Sequence, residues 1–213
     1  MSLKLFFLRH GQTAASRDNM FCGSGTDLPL TSDGEAMAQA FANYYQNTQW
    51  RAIYSSPLQR AVSTALPIAG VLQLQPQLRD DLMEIGYGDW EGKTVVEVDR
   101  DYHDDYIRWS ADPAWHAPTK GEPAVAIAHR GLRVIEEIKA NFDDGNVLVV
   151  SHKATIRIIL CSLLGIDVGR FRYRLGCPVG SVSMVEFGAN GPLLHALADR
   201  AHFDARLREL PGT

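Results

Sequence analysis

Cysteine is scarce in this 213-residue chain: Cys22, Cys161 and Cys177 stand far apart, an odd count with no C-x-x-C pair. That excludes a disulfide framework and fits a reducing cytoplasm. Long apolar runs are missing too. The first, Leu5 to Leu8, is too short for the core of a secretion signal and far too short to cross a bilayer, so a soluble intracellular protein with no membrane partner is expected. Neither sign of charge dominates. Twenty-one basic against 25 acidic residues leave a net charge of −4, which argues against a surface that grips nucleic acid and still leaves room for a local cationic pocket. Repeats, low-complexity tracts and linkers are also lacking. The composition, 46% apolar and 22% charged, is that of a globular protein able to fill a core without staples. One domain over 1–213 is expected, with a small cap inserted around 86–123.

Along the chain, Leu3 to Leu8 reads as a buried strand feeding the turn at Gly11. After a loop around 23–29, Ser32 and Glu35 have capping-box spacing, and Ala36, Met37, Ala40, Phe41, Tyr44 and Tyr45 repeat at helical intervals. Trp50 to Ser55 reads as a second strand. Ser56 is expected to cap the next helix, with Pro57 at its first position, which puts Arg60 near the first turn. Pro67 should kink or end that helix, and 78–92 looks irregular. Ala124 to Ala140 is helical in pattern. Asn146 to Ser151 contains four consecutive apolar residues, as in a parallel strand covered on both faces. A helix from Ala154 to Leu164 should stop at Gly165. Two closing strands, Val179 to Phe187 and Leu193 to Ala198, precede a polar tail. Strands alternating with helices give an α/β fold, a three-layer sandwich with a mostly parallel sheet and helices on both faces.

In such sheets ligands collect at the carboxyl ends of the strands. Here strand one ends in Arg9-His10, the second strand leads to Arg60, and the buried strand ends in Ser151-His152. Two arginines and two histidines meeting at one edge make a group suited to an anion. Guanidinium groups match phosphate bidentately. A neutral imidazole is a competent nucleophile toward phosphorus, and a second histidine, if protonated, donates to the oxygens that carry transition-state charge. Glu84, in an apolar loop facing that anion, is the candidate to protonate the leaving group and then activate water.

These residues resemble a known family. Leu8-Arg9-His10-Gly11-Gln12-Thr13, Ser55-Ser56-Pro57-Leu58-Gln59-Arg60-Ala61, the run from Glu84 to Gly92 ending in Gly-Asp-Trp-Glu-Gly, and Val150-Ser151-His152 are similar, in this order, to the four motifs of the histidine phosphatase superfamily, phosphoglycerate-mutase-like branch. The resemblance implies that His10 is the phosphorylated nucleophile, that Arg9, Arg60 and His152 form the phosphate pocket, and that Glu84 is the proton donor, with no metal and no cofactor. It implies a phosphoglycerate-mutase-like fold and a small phosphorylated metabolite as substrate, with inorganic phosphate as product; a homodimer is left open. The loop containing Cys22 and Gly23 is expected near the phosphate. Two departures bear on the substrate: Ser16 stands where relatives commonly have asparagine, and Lys153-Ala154 follows His152 in place of Gly-Gly.

Gly-Asp-Trp-Glu-Gly resembles broad-specificity and α-ribazole-phosphatase-like members, so a phosphatase is expected ahead of a cofactor-dependent phosphoglycerate mutase. A regulatory protein that only captures phosphorylated ligands is the rival from another class; it would have no use for Glu84. Trp109 and Trp115 are expected in a core or a cap. His103, His116, His129, His195 and His202 show no metal-ligand spacing and read as structural or surface groups, His116 alone being weighed for the substrate entrance.

Overall fold

The structure is a computed structural model and describes residues 2–212. In chain order it contains β1 (Leu3–Arg9), α1 (Ala14–Arg17), α2 (Ser32–Tyr45), β2 (Trp50–Ser55), α3 (Gln59–Leu72), β3 (Gln77–Leu78), α4 (Val95–Asp101), α5 (His103–Ala111), α6 (Ala124–Asn141), β4 (Gly145–Ser151), α7 (Lys153–Leu164), α8 (Phe171–Arg174), β5 (Val182–Gly188), β6 (Gly191–Asp199) and α9 (Ala205–Glu209). The strands form one sheet in the order β3-β2-β4-β1-β5-β6. The β3–β2, β2–β4 and β4–β1 pairs are parallel, whereas β5 and β6 add antiparallel, so the sheet is mixed, with its parallel part in the middle and at one side.

Side chains alternate across a strand, and both faces are used. Leu5 and Phe7 of β1 and Val147 and Val149 of β4 pack with Ile127, Ile135 and Ile138 of α6 and Ile156 and Ile159 of α7. Phe6, Leu8, Ile53, Leu148 and Val150 turn the other way onto Phe41 of α2 and Ala61, Ala65 and Ile68 of α3. Helices on both faces explain why Val147 to Val150 are all apolar and fully buried.

Several local expectations are corrected. The cap of α2 is Thr31, whose side chain accepts from the Gly34 amide, one residue before the expected Ser32. Ser56 does not cap α3; that helix starts at Gln59 behind Leu58, with no side-chain cap. Pro67 lies inside α3 without ending it: the helix forgoes one backbone hydrogen bond while Ala61, Ala65, Ile68 and Ala69 stay packed on both sides of the proline. Residues 95–111, given no structure by the sequence reading, form α4 and α5. Among their residues only Val98 and Trp109 are buried, so there was no apolar stripe to read. The tail is not merely polar, since Phe203 and Leu207 pack on Met37 and Val179.

Candidate active site

The carboxyl ends of the three central strands are tied together by backbone. The His10 amide donates to the Ser151 carbonyl at 3.0 Å, and the Ser56 amide to the Val150 carbonyl at 3.0 Å. Gly11 is needed by close approach. A Cβ there would collide with the Gly34 carbonyl oxygen at the start of α2, and its amide donates to Thr64 Oγ1 at 3.0 Å.

His10 is 5% exposed and lines a cavity at this edge. Its Nδ1 lies 2.7 Å from the Gly11 carbonyl, which can only accept, so Nδ1 carries the proton and Nε2 the lone pair. Burial, then the guanidinium groups of Arg60 and Arg9, hold the imidazole well below its usual pKa, so it is neutral at pH 7.

Arg60 is 1% exposed; it lines the cavity and also braces the surrounding loop. Its Nη1 and Nη2 donate to the carbonyls of Thr26 and Gly23 at 2.7 and 2.9 Å, and its Nε donates to His152 Nδ1 at 3.2 Å. Arg9 donates from Nη1 to the Cys177 carbonyl at 2.7 Å, and its Nε is buried without a partner. Such an unpaired donor beside a nucleophile suits an incoming oxyanion.

His152 stands one layer back. It is fully buried, does not line the cavity, and its ring centroid is 5.2 Å from that of His10. Because Nδ1 accepts from Arg60, Nε2 carries the hydrogen and donates to Ser56 Oγ at 2.8 Å. Burial and then Arg60 hold it well below the usual histidine pKa. The sequence reading has His152, if protonated, donate to the transferred group; in the structure its two ring nitrogens are engaged by Arg60 and Ser56, which places it as a brace behind Arg60.

Glu84 is 5% exposed and sits at the N-terminus of α7. Its Oε1 accepts from the Ile85 and Thr155 amides at 3.0 and 3.1 Å and lies 3.2 Å from Thr155 Oγ1; its Oε2 accepts from the Ala154 amide at 3.1 Å. Oε2, with a single donor, keeps a lone pair for a proton, and Glu84 lines the cavity with His10.

Ser16, Cys22 and Lys153 also line the cavity. The Ser16 hydroxyl is engaged in the α1 capping box, accepting from the Thr13 amide and lying 3.0 Å from the Thr13 carbonyl. Gly23, beside the cavity-lining Cys22, donates its amide to Glu91 Oε2 at 2.9 Å and gives its carbonyl to Arg60, so in the structure it braces the loop and is not itself among the lining residues. His116 is exposed and away from the cavity; Trp115 is 74% exposed. Among the described residues no group of three or more His, Cys, Asp or Glu side chains could hold a metal ion, and no helix is long and apolar enough to cross a membrane.

The sequence reading missed Tyr87, Arg157 and Arg172 as cavity residues and left Trp109 between core and cap; all four line the cavity. For Arg157 a signal existed, a lone arginine within the apolar helix α7. For Arg172 there was none. Trp109 packs with Phe21, Trp90 and Val98 into an aromatic cluster over this edge.

A sequence model described as the histidine phosphatase superfamily (branch 1) matches residues 5–200. The chain is 32% identical over 183 residues to phosphoserine phosphatase 1 of Hydrogenobacter thermophilus, covering 86% of each chain. It is 29% identical over 178 residues to the adenosylcobalamin/α-ribazole phosphatase of Escherichia coli, covering 82% of this chain and 87% of that one. The structure of a mycobacterial glucosyl-3-phosphoglycerate phosphatase superposes with a TM-score of 0.85 at 26% identity, over 94% of this chain and all of the other. With its motifs gathered at one sheet edge in the fold of these phosphatases, the chain belongs to branch 1 of the histidine phosphatase superfamily.

Proposed function

We propose that the chain hydrolyses phosphomonoesters of small metabolites through a phosphohistidine on His10. The observation that carries this is the fixed tautomer of His10, whose Nδ1–H is spent on the Gly11 carbonyl so that the cavity-lining ring keeps a nucleophilic Nε2. Nε2 attacks phosphorus as the ester P–O bond breaks, and the departing alkoxide takes a proton from Glu84. Water then attacks the phosphohistidine and gives a proton to Glu84, which releases inorganic phosphate and restores Nε2. Arg9 and Arg60 balance the charge on the transferred group. The relatives named above are phosphatases, which favours water over a second hydroxyl as the final acceptor. Residues 86–123 are read as a cap over the site, with Trp109 as its floor. Three free cysteines support a cytoplasmic setting.

The test is His10→Ala, assayed with p-nitrophenyl phosphate in EDTA and by acid-labile labelling from a radioactive ester. Turnover should fall roughly a thousandfold or more and the label should vanish with the fold intact. Wild-type rates in the variant would overturn the assignment.

A further inference from the structure

The cavity is lined by five cations, Arg9, Arg60, Lys153, Arg157 and Arg172, and by a single acid, Glu84. A phosphoryl dianion engages Arg9 and Arg60, and the hydrolytic steps leave the other three unused. Arg130 of α6 shows how this fold treats a structural arginine. It forks onto Glu122 and fills its remaining donors with the carbonyls of Asp81, Met83 and Glu84. Arg157 is handled differently. It is 7% exposed, donates from Nη2 to the Arg172 carbonyl, and leaves Nε buried with no partner. Its guanidinium stands 5.4 Å from the Phe171 ring. The Arg172 guanidinium lies over Trp109, 3.9 Å from the ring centroid, and the Trp109 Nε1 is another buried donor without a partner. Among the described residues, no carboxylate forms an ion pair with Lys153, Arg157 or Arg172. Arg172 keeps one side-chain bond, from Nη1 to Ser110 Oγ at 3.3 Å, and is, like Lys153, only half-buried. The buried Arg157 guanidinium without a carboxylate, and the two orphan donors in residues that line the cavity, are costly unless a ligand answers them.

We infer that Lys153, Arg157 and Arg172, with the Trp109 indole N–H, form a second anion subsite, so that the substrate is a small phosphomonoester carrying a further negative group, a carboxylate or a second phosphate. The inference rests on the hydrolase reading for the phosphate end of the cavity. Crowding of like charge agrees with it: burial, then Arg9 and Arg157, push the Lys153 amine down to about 8, a repulsion that an anion relieves. Lys153 and Arg157 are four positions apart along α7 and so share one face of that helix, and Arg172 of α8 lines the same cavity. The subsite therefore belongs to a different side of the cavity wall from β1 and α3, which supply Arg9 and Arg60.

Three matched esters test it: propyl phosphate, 3-phosphooxypropanoate and propane-1,3-diol bisphosphate. At least one charged member should exceed propyl phosphate in kcat/KM by about tenfold or more, and the one that gains identifies the second anion. Arg157→Gln and Arg172→Gln should each cost that member about tenfold more than they cost propyl phosphate. Equal kcat/KM for all three esters, or equal losses on all three, would overturn the subsite. Calorimetry with His10→Ala protein, in which the esters stay intact, separates the two readings. If the wild type turns over none of the three, the hydrolase reading falls. The order of affinities, and its collapse in a His10→Ala/Arg157→Gln double variant, still decides the subsite.

Discussion

Glu84 is held by three backbone amides and a hydroxyl, and every backbone partner of its carboxylate is a donor. A carboxamide has no such symmetry. In Glu84→Gln the oxygen takes the crowded Oε1 position and the NH₂ then meets the Ala154 N–H, donor against donor. The variant should lose proton transfer and about 1–3 kcal/mol of stability together. Alkyl phosphates, whose leaving groups need the proton, should slow by roughly 10²–10⁴ and p-nitrophenyl phosphate by much less. Equal losses on both ester types would remove Glu84 from the acid role. Arg9 and His10 stand at the end of β1 and Arg60 in the first turn of α3, so strand ends alone brought these three together; Glu84, in the irregular stretch after β3, was placed with them by its loop and the motif resemblance. The protonation of His152 was not legible. It depends on Arg60 and Ser56, which reach it from about 90 residues away in sequence.

Among the elements, α7 carries the greatest share of the site: His152 directly precedes it, and Lys153, two of the three amides that bind Glu84, and Arg157 lie along it. Its position is set by α6, where Gly131 faces Ile159 so closely that a Cβ would fall 2.6 Å from Cγ1. Gly131→Val should overpack this crossing by about 1–3 kcal/mol. At this chain length that lowers the melting temperature by roughly 2–4 °C per kcal/mol. A scanning-calorimetry midpoint equal to wild type would show that α6 and α7 yield there. Strands β1, β2 and β4 and helices α2, α6 and α7 were legible because their apolar periods are strong. Helices α4 and α5 were not, since their stability comes from Trp109 and Val98 packing with Phe21 and Trp90, contacts that no local period announces.

For the whole molecule, three buried histidines set the response to acid. His10, His152 and His202 are all held below their ordinary pKa, His202 by burial to about 4. The folded state therefore prefers them neutral, and the unfolded chain takes up protons first. Stability is complete above the unfolded histidine pKa and drains away as pH falls from about 6.5 toward the folded values. For His202 alone the window runs from 6.5 to about 4 and is worth on the order of 3 kcal/mol. Urea midpoints should fall between pH 7 and 4.5, and His202→Leu, similar in volume among Phe41 and Phe203, should flatten part of that slope. An unchanged slope would acquit His202.

The cavity also draws five of the 21 basic side chains inward and only one of the 25 acidic ones. The rest of the chain is left with 16 basic against 24 acidic residues, twice the negative excess that the net charge of −4 suggests. Attraction is thus confined to a recess while the exterior repels. A charge distribution of this kind should favour a compact ester over a long polyphosphate, a preference that added salt should weaken.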